Sequence, residues 1–189
     1  MAKLNRRDEL LFDLGKSILK TGAFRIGNFT TPDGKTSPYF IDLGRIISFP
    51  DVMSLALECL DFEFSEINNE NFDCFCGVPI PGLIFGALLA HRKNKPLVYP
   101  TRESNYRLKG ILKPGSQVLV IDDVSETGQS IEHATQSVRA NGGMASHALT
   151  LVDRSESALE SLSRSGVKLH SFTTVEELVT KLKENLALP

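Results

Sequence analysis

The chain has 189 residues and a formal net charge of −2, with 41% hydrophobic and 23% charged residues. This composition is typical of a globular domain with a full core. Nucleic acids and membrane surfaces are usually bound by patches of basic residues. The lack of a basic excess in this chain therefore argues against both kinds of partner. Apolar runs such as LIFGALLA (83–90) are too short to span a bilayer, and acids interrupt the first apolar segment, unlike a signal peptide. We therefore expect a cytoplasmic domain of enzyme size.

The amino-terminal part of the sequence predicts two helices with a turn between them. A first helix begins at Asn5. Its apolar face comprises Leu10, Leu11, Leu14 and Ile18. Turn-forming residues fill TPDGKTSP (31–38) between two short extended runs, and a second helix, containing VMSLALECL, begins at Pro50.

From Phe72 onward, predicted strands and helices alternate. The predicted strands are FDCFCGV (72–78), PLVYP (96–100), QVLVID (117–122), MASHALTLVD (144–153) and VKLHSF (167–172). The predicted helices are GLIFGALLAHR (82–92), GQSIEHATQSVRANGG (128–143), ESALESLSRSG (156–166) and VEELVTKLKENL (175–186). This alternation indicates an α/β fold with a mostly parallel sheet flanked by helices. Ligands of such sheets bind beyond the carboxyl ends of the strands, which directs attention to the loops after Cys76, Tyr99 and Ile121.

The segment after Ile121 has the chemistry of an anion site. Thr127, Gly128 and Ser130 lie where a loop becomes a helix, so unpaired backbone N–H groups and the helix dipole favour an anion there. The hydroxyls add donors, and the glycine allows close approach of the backbone. A phosphate monoester fits this arrangement.

Two adjacent carboxylates, Asp122 and Asp123, precede the anion site. Like charges repel, so they suit hydroxyl groups or a divalent cation better than a phosphate. The combination suggests a sugar phosphate, with its hydroxyls on the acids. Two alternatives remain open: Asp122 caps the helix while Asp123 is solvated, or both bind Mg²⁺ as in response regulators and some hydrolases.

The pattern V-L-V-I-D-D-V-x-x-T-G-x-S (118–130) closely resembles the signature with which type I phosphoribosyltransferases bind 5-phosphoribosyl 1-diphosphate (PRPP). Two further segments, FTTPDGKTSPYFIDLG (29–44) and LVDRSESALESLSRSGVKLHSFTTVEEL (151–178), resemble those of orotate phosphoribosyltransferases. The resemblance runs from about residue 10 to residue 180. It implies a type I phosphoribosyltransferase fold in one domain, 1–189, with a helix and small hood over about 1–48 and an α/β core over about 49–189.

The resemblance also implies a reaction in pyrimidine biosynthesis. Orotate and PRPP would give orotidine 5′-monophosphate and pyrophosphate, with Mg²⁺ held mainly by PRPP and no direct protein ligand assigned. The implied catalytic residues are Asp122, Asp123, Arg102 and Glu126. The implied PRPP-binding residues are Asp122, Asp123, Val124, Ser125, Glu126, Thr127, Gly128, Gln129, Ser130, Arg102 and Arg107. The implied orotate-binding residues are Tyr39, Phe40, Arg154 and Lys35. The implied pyrophosphate loop comprises Gly77, Val78, Pro79, Ile80, Pro81 and Gly82. A homodimer is expected from the family.

Structural interpretations of these residues remain open. Tyr39 and Phe40 have the spacing of strand core residues, and Arg154 suits a surface salt bridge. The prolines at 79 and 81 suit a turn. Histidines 91, 133 and 147 fall in helix or strand patterns and are interpreted as structural or solvated. Cysteines 74 and 76 have no second Cys/His pair at ligand spacing and are interpreted as core residues.

The catalytic loop of the family differs most from this sequence. The family pattern R-K-E-x-K-x-H-G supplies cations that clamp pyrophosphate, often from the partner subunit of a dimer. This chain has the shorter TRESNYRLKGILKPG (101–115), in which Arg102, Arg107 and Lys109 keep a basic character. An ordinary basic surface loop is the alternative.

Two other departures lie nearer the expected base. The lysine of the F-T-x-K-S-G segment is replaced by Pro32 and Asp33, with Lys35 just beyond. Glu126 stands where the family commonly has Thr or a small residue. A carboxylate facing orotate would repel it, whereas an acid at this place serves as the base near purine N7 in 6-oxopurine phosphoribosyltransferases. Glu126 pointing to solvent is the third interpretation.

The sequence thus favours an orotate phosphoribosyltransferase. The alternatives are a phosphoribosyltransferase for another base such as a purine, and a non-catalytic PRPP-binding regulator that has lost the basic clamp.

Overall fold

The computed structural model describes residues 2–30, 36–67, 71–101, 107–154 and 156–186. The chain forms two compact units, one made of Met1–Cys59 with Glu176–Pro189 and one made of Leu60–Val175. The interpretation of 1–189 as one domain stays a prediction. Lys35 and Arg102, which the family resemblance assigns to the site, lie outside the described residues.

Helices and one hairpin form the first unit. Its elements are α1 (Ala2–Lys20), β1 (Phe24–Thr30), β2 (Thr36–Ile41), a 3-10 helix (Leu43–Ser48), the first part of α2 (Pro50–Glu66) and nearly all of α6 (Val175–Leu186). The predicted apolar face of α1 is buried at all four positions. Helices α1 and α6 pack closely: a Cβ at Gly15 would lie 3.0 Å from Leu182 Cδ2. The Arg7 guanidinium also donates to both Glu177 carboxylate oxygens, at 2.6 and 2.9 Å.

A six-stranded sheet forms the second unit. Its strands are β3 (Cys74–Gly77), β4 (Leu97–Pro100), β5 (Leu108–Lys109), β6 (Gln117–Ser125), β7 (Met144–Asp153) and β8 (Lys168–Thr174), in the order β5-β4-β3-β6-β7-β8. The helices of this unit are α3 (Gly82–Lys93), α4 (Gln129–Ala140) and α5 (Glu156–Arg164). All neighbours are parallel except β4 and β5. The predicted α/β fold with a mostly parallel sheet is confirmed.

Several observed elements differ from the predicted ones. Helix α1 begins at Ala2 and not at Asn5, strand β3 is shorter than the predicted 72–78, and strand β8 continues to Thr174. Strand β6 continues beyond Asp122 to Ser125, because β7 stays paired with it as far as Asp153. Strand β5 and the 3-10 helix were not predicted, since elements so short carry no periodic pattern. Within the described ranges, no helix combines the length and apolar character needed to cross a membrane.

Cys74 and Cys76 belong to the core, as predicted, and so does Cys59. Cys59, Cys74 and Cys76 are buried and form no disulfide, and burial raises the pKa of each thiol. Raised thiol pKa values make them poor nucleophiles and metal ligands at neutral pH.

Two histidines stack across the neighbouring strands β7 and β8. His147 Nδ1 lies 3.0 Å from His170 Nε2, with ring centroids 5.2 Å apart and planes at 13°. Phe72 packs edge-on against His147. Burial lowers the pKa of His170 from 6.5 to about 4, with smaller contributions from His147 and Lys168. A positive charge on His170 is therefore unfavourable.

This stack predicts a loss of stability in mild acid. Unfolded His170 takes up a proton near pH 6.5 and the folded residue only near pH 4, so falling pH favours the unfolded state through that window. Allowing for the partial exposure of His170, we expect a loss of about 1–2 kcal/mol between pH ~7 and pH ~4.5. Urea denaturation of His170→Gln should show a shallower pH dependence than the unaltered chain. His91→Gln, which changes an exposed histidine on α3, is the comparison variant. Equal slopes of stability against pH for the His170 and His91 variants would contradict the assignment to His170.

Candidate functional site

The turn from β6 into α4 is built around one glycine. Gly128 has φ 79°, a left-handed conformation that favours glycine. A Cβ there would also lie 3.0 Å from Leu162 Cγ. The first helical hydrogen bond of α4 runs from the Glu132 N–H to the Gly128 carbonyl, at 2.8 Å. A side chain at this position would therefore strain the backbone and press against Leu162.

A polar cavity of about 200 Å³ surrounds this turn. Its lining comprises Asp122, Val124, Ser125, Glu126, Thr127, Gly128, Gln129, Ser130 and Ile131. The Gln129 N–H points toward Thr127 Oγ1 at 3.5 Å, too long for a strong hydrogen bond. First-turn N–H groups and hydroxyls lie together at the positive end of the helix dipole, an arrangement suited to a phosphate. The structure thus brings together the residues that the sequence assigned to an anion site.

The two acids on β6 are buried, with 7% of each residue exposed. Asp122 Oδ1 accepts a hydrogen bond from the Asp123 N–H at 2.9 Å. Burial, and then the neighbouring Asp123 carboxylate, raises the pKa of Asp122 well above its ordinary value. Hydroxyl groups that donate hydrogen bonds to the charged carboxylate would stabilise it and so oppose the rise in the pKa of Asp122. The pair is therefore suited to a polyhydroxy ligand beside the phosphate cavity.

Glycines allow the β3–α3 loop to pack directly against β6. A Cβ at Gly82 would lie 2.7 Å from Asp122 Cα, and one at Gly77 would lie 2.7 Å from Leu83 Cα. The Val78 N–H donates to the Ile121 carbonyl at 2.9 Å. The Val78 N–H is therefore used by the sheet and is not available to an anion. The peptide between Ile80 and Pro81 is cis.

A second cleft, of about 270 Å³, extends from this loop to α4. Its lining comprises Val78, Pro79, Pro100, Thr101, Gln129, Ser130 and His133. Sequence reasoning did not include Thr101 and His133 among the site residues. Two signals were available: Thr101 directly follows strand β4, and His133 lies four residues after Gln129, on the same face of a helix.

Arg154 is fixed next to the phosphate cavity by the pairing of β6 with β7. Its N–H donates to the Ser125 carbonyl at 2.8 Å. Ser125 Oγ donates to Asp153 Oδ1 at 2.7 Å. The Arg154 guanidinium donates to Glu126 Oε2 at 3.0 Å. Glu126 thus engages Arg154, a contact that none of the sequence-based interpretations of Glu126 anticipated.

The aromatic residues expected beside the base lie in the other unit, on strand β2. Tyr39 and Phe40 are half-buried. The Tyr39 ring packs 5.9 Å from that of Phe24, and the Arg25 guanidinium lies 4.4 Å from the Phe40 ring centroid. These contacts within the hairpin account for the positions of Tyr39 and Phe40 even when no ligand is bound.

Arg107 is exposed, and its carbonyl accepts from the Thr101 N–H at 2.8 Å. This bond joins the two residues that flank 102–106. In the described part of the chain, no three His, Cys, Asp or Glu side chains converge to hold a metal ion.

Solved structures define the class of protein to which this fold and site belong. No protein-family model matches the chain. An orotate phosphoribosyltransferase of Aeropyrum pernix superposes with a TM-score of 0.78 at 37% identity, over 89% of this chain and 98% of that one. The UMP synthase of Leishmania donovani gives 0.83 at 29% identity, over 94% of this chain and 39% of that one. The fold is that of a type I phosphoribosyltransferase, as the sequence predicts.

Proteins related in sequence narrow this class to one family. The orotate phosphoribosyltransferase of Sulfolobus acidocaldarius is 37% identical over 180 residues, which cover 92% of this chain and 89% of that protein. The chain belongs to the orotate phosphoribosyltransferase family. The family membership predicted from the three sequence segments is confirmed.

The packing of Gly82 on β6 predicts the effect of a single methyl group. Gly82→Ala should displace Asp122 and lower the free energy of unfolding by about 1–3 kcal/mol, the usual effect of overpacking. Calorimetry should show weaker binding of PRPP, the donor implied by the family. Gly115→Ala is the control: its φ is 80° but its Cβ would meet nothing within 4 Å, so it should cost stability without altering PRPP binding. Unchanged PRPP binding by the Gly82 variant would contradict the proposed positioning of Asp122.

Proposed function

We propose that the chain is an orotate phosphoribosyltransferase, transferring the 5-phosphoribosyl group from PRPP to orotate. The observation that carries this proposal is the polar cavity of about 200 Å³ at the α4 N-terminus, which Asp122 of the buried Asp122–Asp123 pair helps to line, on a chain of this family. The products are orotidine 5′-monophosphate, which serves pyrimidine nucleotide synthesis, and pyrophosphate.

The donor is held along the end of β6. The 5′-phosphate accepts hydrogen bonds from the first-turn N–H groups of α4 and from the hydroxyls of Thr127 and Ser130. Asp122 and Asp123 accept from the 2′- and 3′-hydroxyls of the ribose. As the bond from C1 to pyrophosphate breaks, positive charge develops on the ribosyl ring, and the nearby carboxylates stabilise it.

The acceptor is held by charge and by aromatic contact. Arg154 pairs with the orotate carboxylate through its planar guanidinium, which matches a carboxylate with two hydrogen bonds. The family resemblance also assigns Tyr39, Phe40 and Lys35 to orotate binding. Orotate N1 then attacks C1 of PRPP and displaces pyrophosphate.

The leaving group needs cations. Mg²⁺ is proposed as the cofactor, held mainly by PRPP, since polyphosphate oxygens are its usual ligands and protein cages for it are uncommon. When bound it supplies neutralisation of the pyrophosphate charge. Arg102 and Arg107 would clamp the same group from the 101–110 loop, and Val78 and Pro79 line the cleft beside it. We also propose a homodimer in the cytoplasm, as expected from the family and from the composition.

Turnover tests the proposal directly. Purified chain with PRPP, Mg²⁺ and orotate should deplete the orotate absorbance band. Asp122→Asn with Asp123→Asn should abolish this and weaken PRPP binding by roughly a hundredfold or more, because two charge-assisted hydrogen bonds contribute about 3–6 kcal/mol together. Asp73→Asn is the matched control, since Asp73 accepts from the Gln117 N–H at the opposite end of β6. Unchanged PRPP binding in the folded double variant would refute the site.

The loop is tested separately. Arg102→Ala and Arg107→Ala should each lower kcat by about a hundredfold, the usual effect of removing one donor that stabilises developing charge. Lys113→Ala, at an exposed lysine, should leave kcat unaltered. If both arginine variants keep the original kcat, the loop does not clamp pyrophosphate.

A further inference from the structure

The guanidinium proposed to receive the substrate carboxylate already holds a carboxylate of the chain itself. Arg154 Nη1 and Glu126 Oε2 are 3.0 Å apart. Orotate therefore meets an arginine that is engaged by an anion of the same chemistry. Two carboxylates brought to one guanidinium repel each other, so binding requires an exchange of partners.

The backbones on both sides of this ion pair are held in place. The Arg154 N–H donates to the Ser125 carbonyl at 2.8 Å, and Ser157 Oγ donates to the Glu126 carbonyl at 3.0 Å. Ser125 and Asp153, which join the two strand ends, are each only 2% exposed. The exchange is therefore confined to side chains.

The two side chains differ in their freedom to move. The Glu126 side chain is 54% exposed, whereas that of Arg154 is 17% exposed. A half-exposed carboxylate regains full hydration by rotating into solvent. The Arg154 side chain is largely covered by protein, so moving would break its packing contacts. Glu126 is thus the partner that leaves.

We propose that Glu126 is a specificity-determining residue that occupies the carboxylate site of Arg154 and is displaced by the carboxylate of the incoming pyrimidine. This inference rests on the proposed role of Arg154 in orotate binding. A pyrimidine without a carboxylate cannot replace Glu126 at the guanidinium. The ion pair therefore lowers the affinity for acidic acceptors and leaves the affinity for neutral ones unaltered.

The test is calorimetric binding of orotate, and of uracil as the same ring without the carboxylate, in the presence of Mg²⁺ and pyrophosphate. Exposed ion pairs contribute up to about 1 kcal/mol. Glu126→Gln should therefore bind orotate about two- to fivefold more tightly, with uracil binding unchanged. Glu160→Gln is the matched control, because Glu160 forms a similar exposed pair with Arg164 at 3.2 Å; it should bind both ligands like the unaltered chain.

A double-mutant cycle separates displacement from general repulsion. In the Arg154→Ala background, Glu126→Gln should give no gain in orotate affinity, whereas simple charge repulsion would persist there. Equal orotate affinity of the unaltered chain and Glu126→Gln, or a gain shared by uracil, would overturn the inference. Orotate turnover together with that result would leave the proposed function standing. No orotate binding by either protein would overturn both the inference and the role of Arg154.

Discussion

The site depends on the pairing of β6 with β7 through their last residues. Ser125 and Asp153 are partners in the parallel register, and the Ser125 hydroxyl donates to the Asp153 carboxylate at 2.7 Å. Because parallel strands end at the same edge, this register brings the turn after Ser125, proposed to bind phosphate, next to Arg154. The two recognition elements, one for each substrate of the proposed reaction, thus share one rigid base.

Glycine packing adds a second constraint. Gly77 and Gly82 leave no room for a side chain between α3 and the strands beneath it. The acids on β6 are consequently buried, and water is largely replaced by protein around Asp122. Burial makes each hydrogen bond to these carboxylates stronger than it would be in water. The same burial raises the pKa of Asp122. It also excludes water that would compete with a ligand's hydroxyl groups for the carboxylate oxygens.

The charged groups at the carboxyl end of β6 and β7 act on an anionic ligand in opposite directions. The helix dipole of α4 and the Arg154 guanidinium favour anions, while Asp122, Asp123 and Glu126 oppose them. The proposed donor must place its phosphate and its hydroxyls correctly to benefit from both kinds of group. Glu126, held by Arg154 at 3.0 Å, extends this requirement to the carboxylate of the proposed acceptor.

The sequence by itself determined the alternation of strands and helices, the buried face of α1 and the glycine turn that begins α4, because these follow from local periodicity and from residue types at fixed spacing. The family, too, was evident from three short segments. Only the tertiary structure decided that β6 extends to Ser125, that the Val78 N–H is used by the sheet, and that Glu126 binds Arg154. The last pair is separated by 28 positions in the chain. Local pattern does not specify such contacts, since they arise from strand register and from the space left between packed elements.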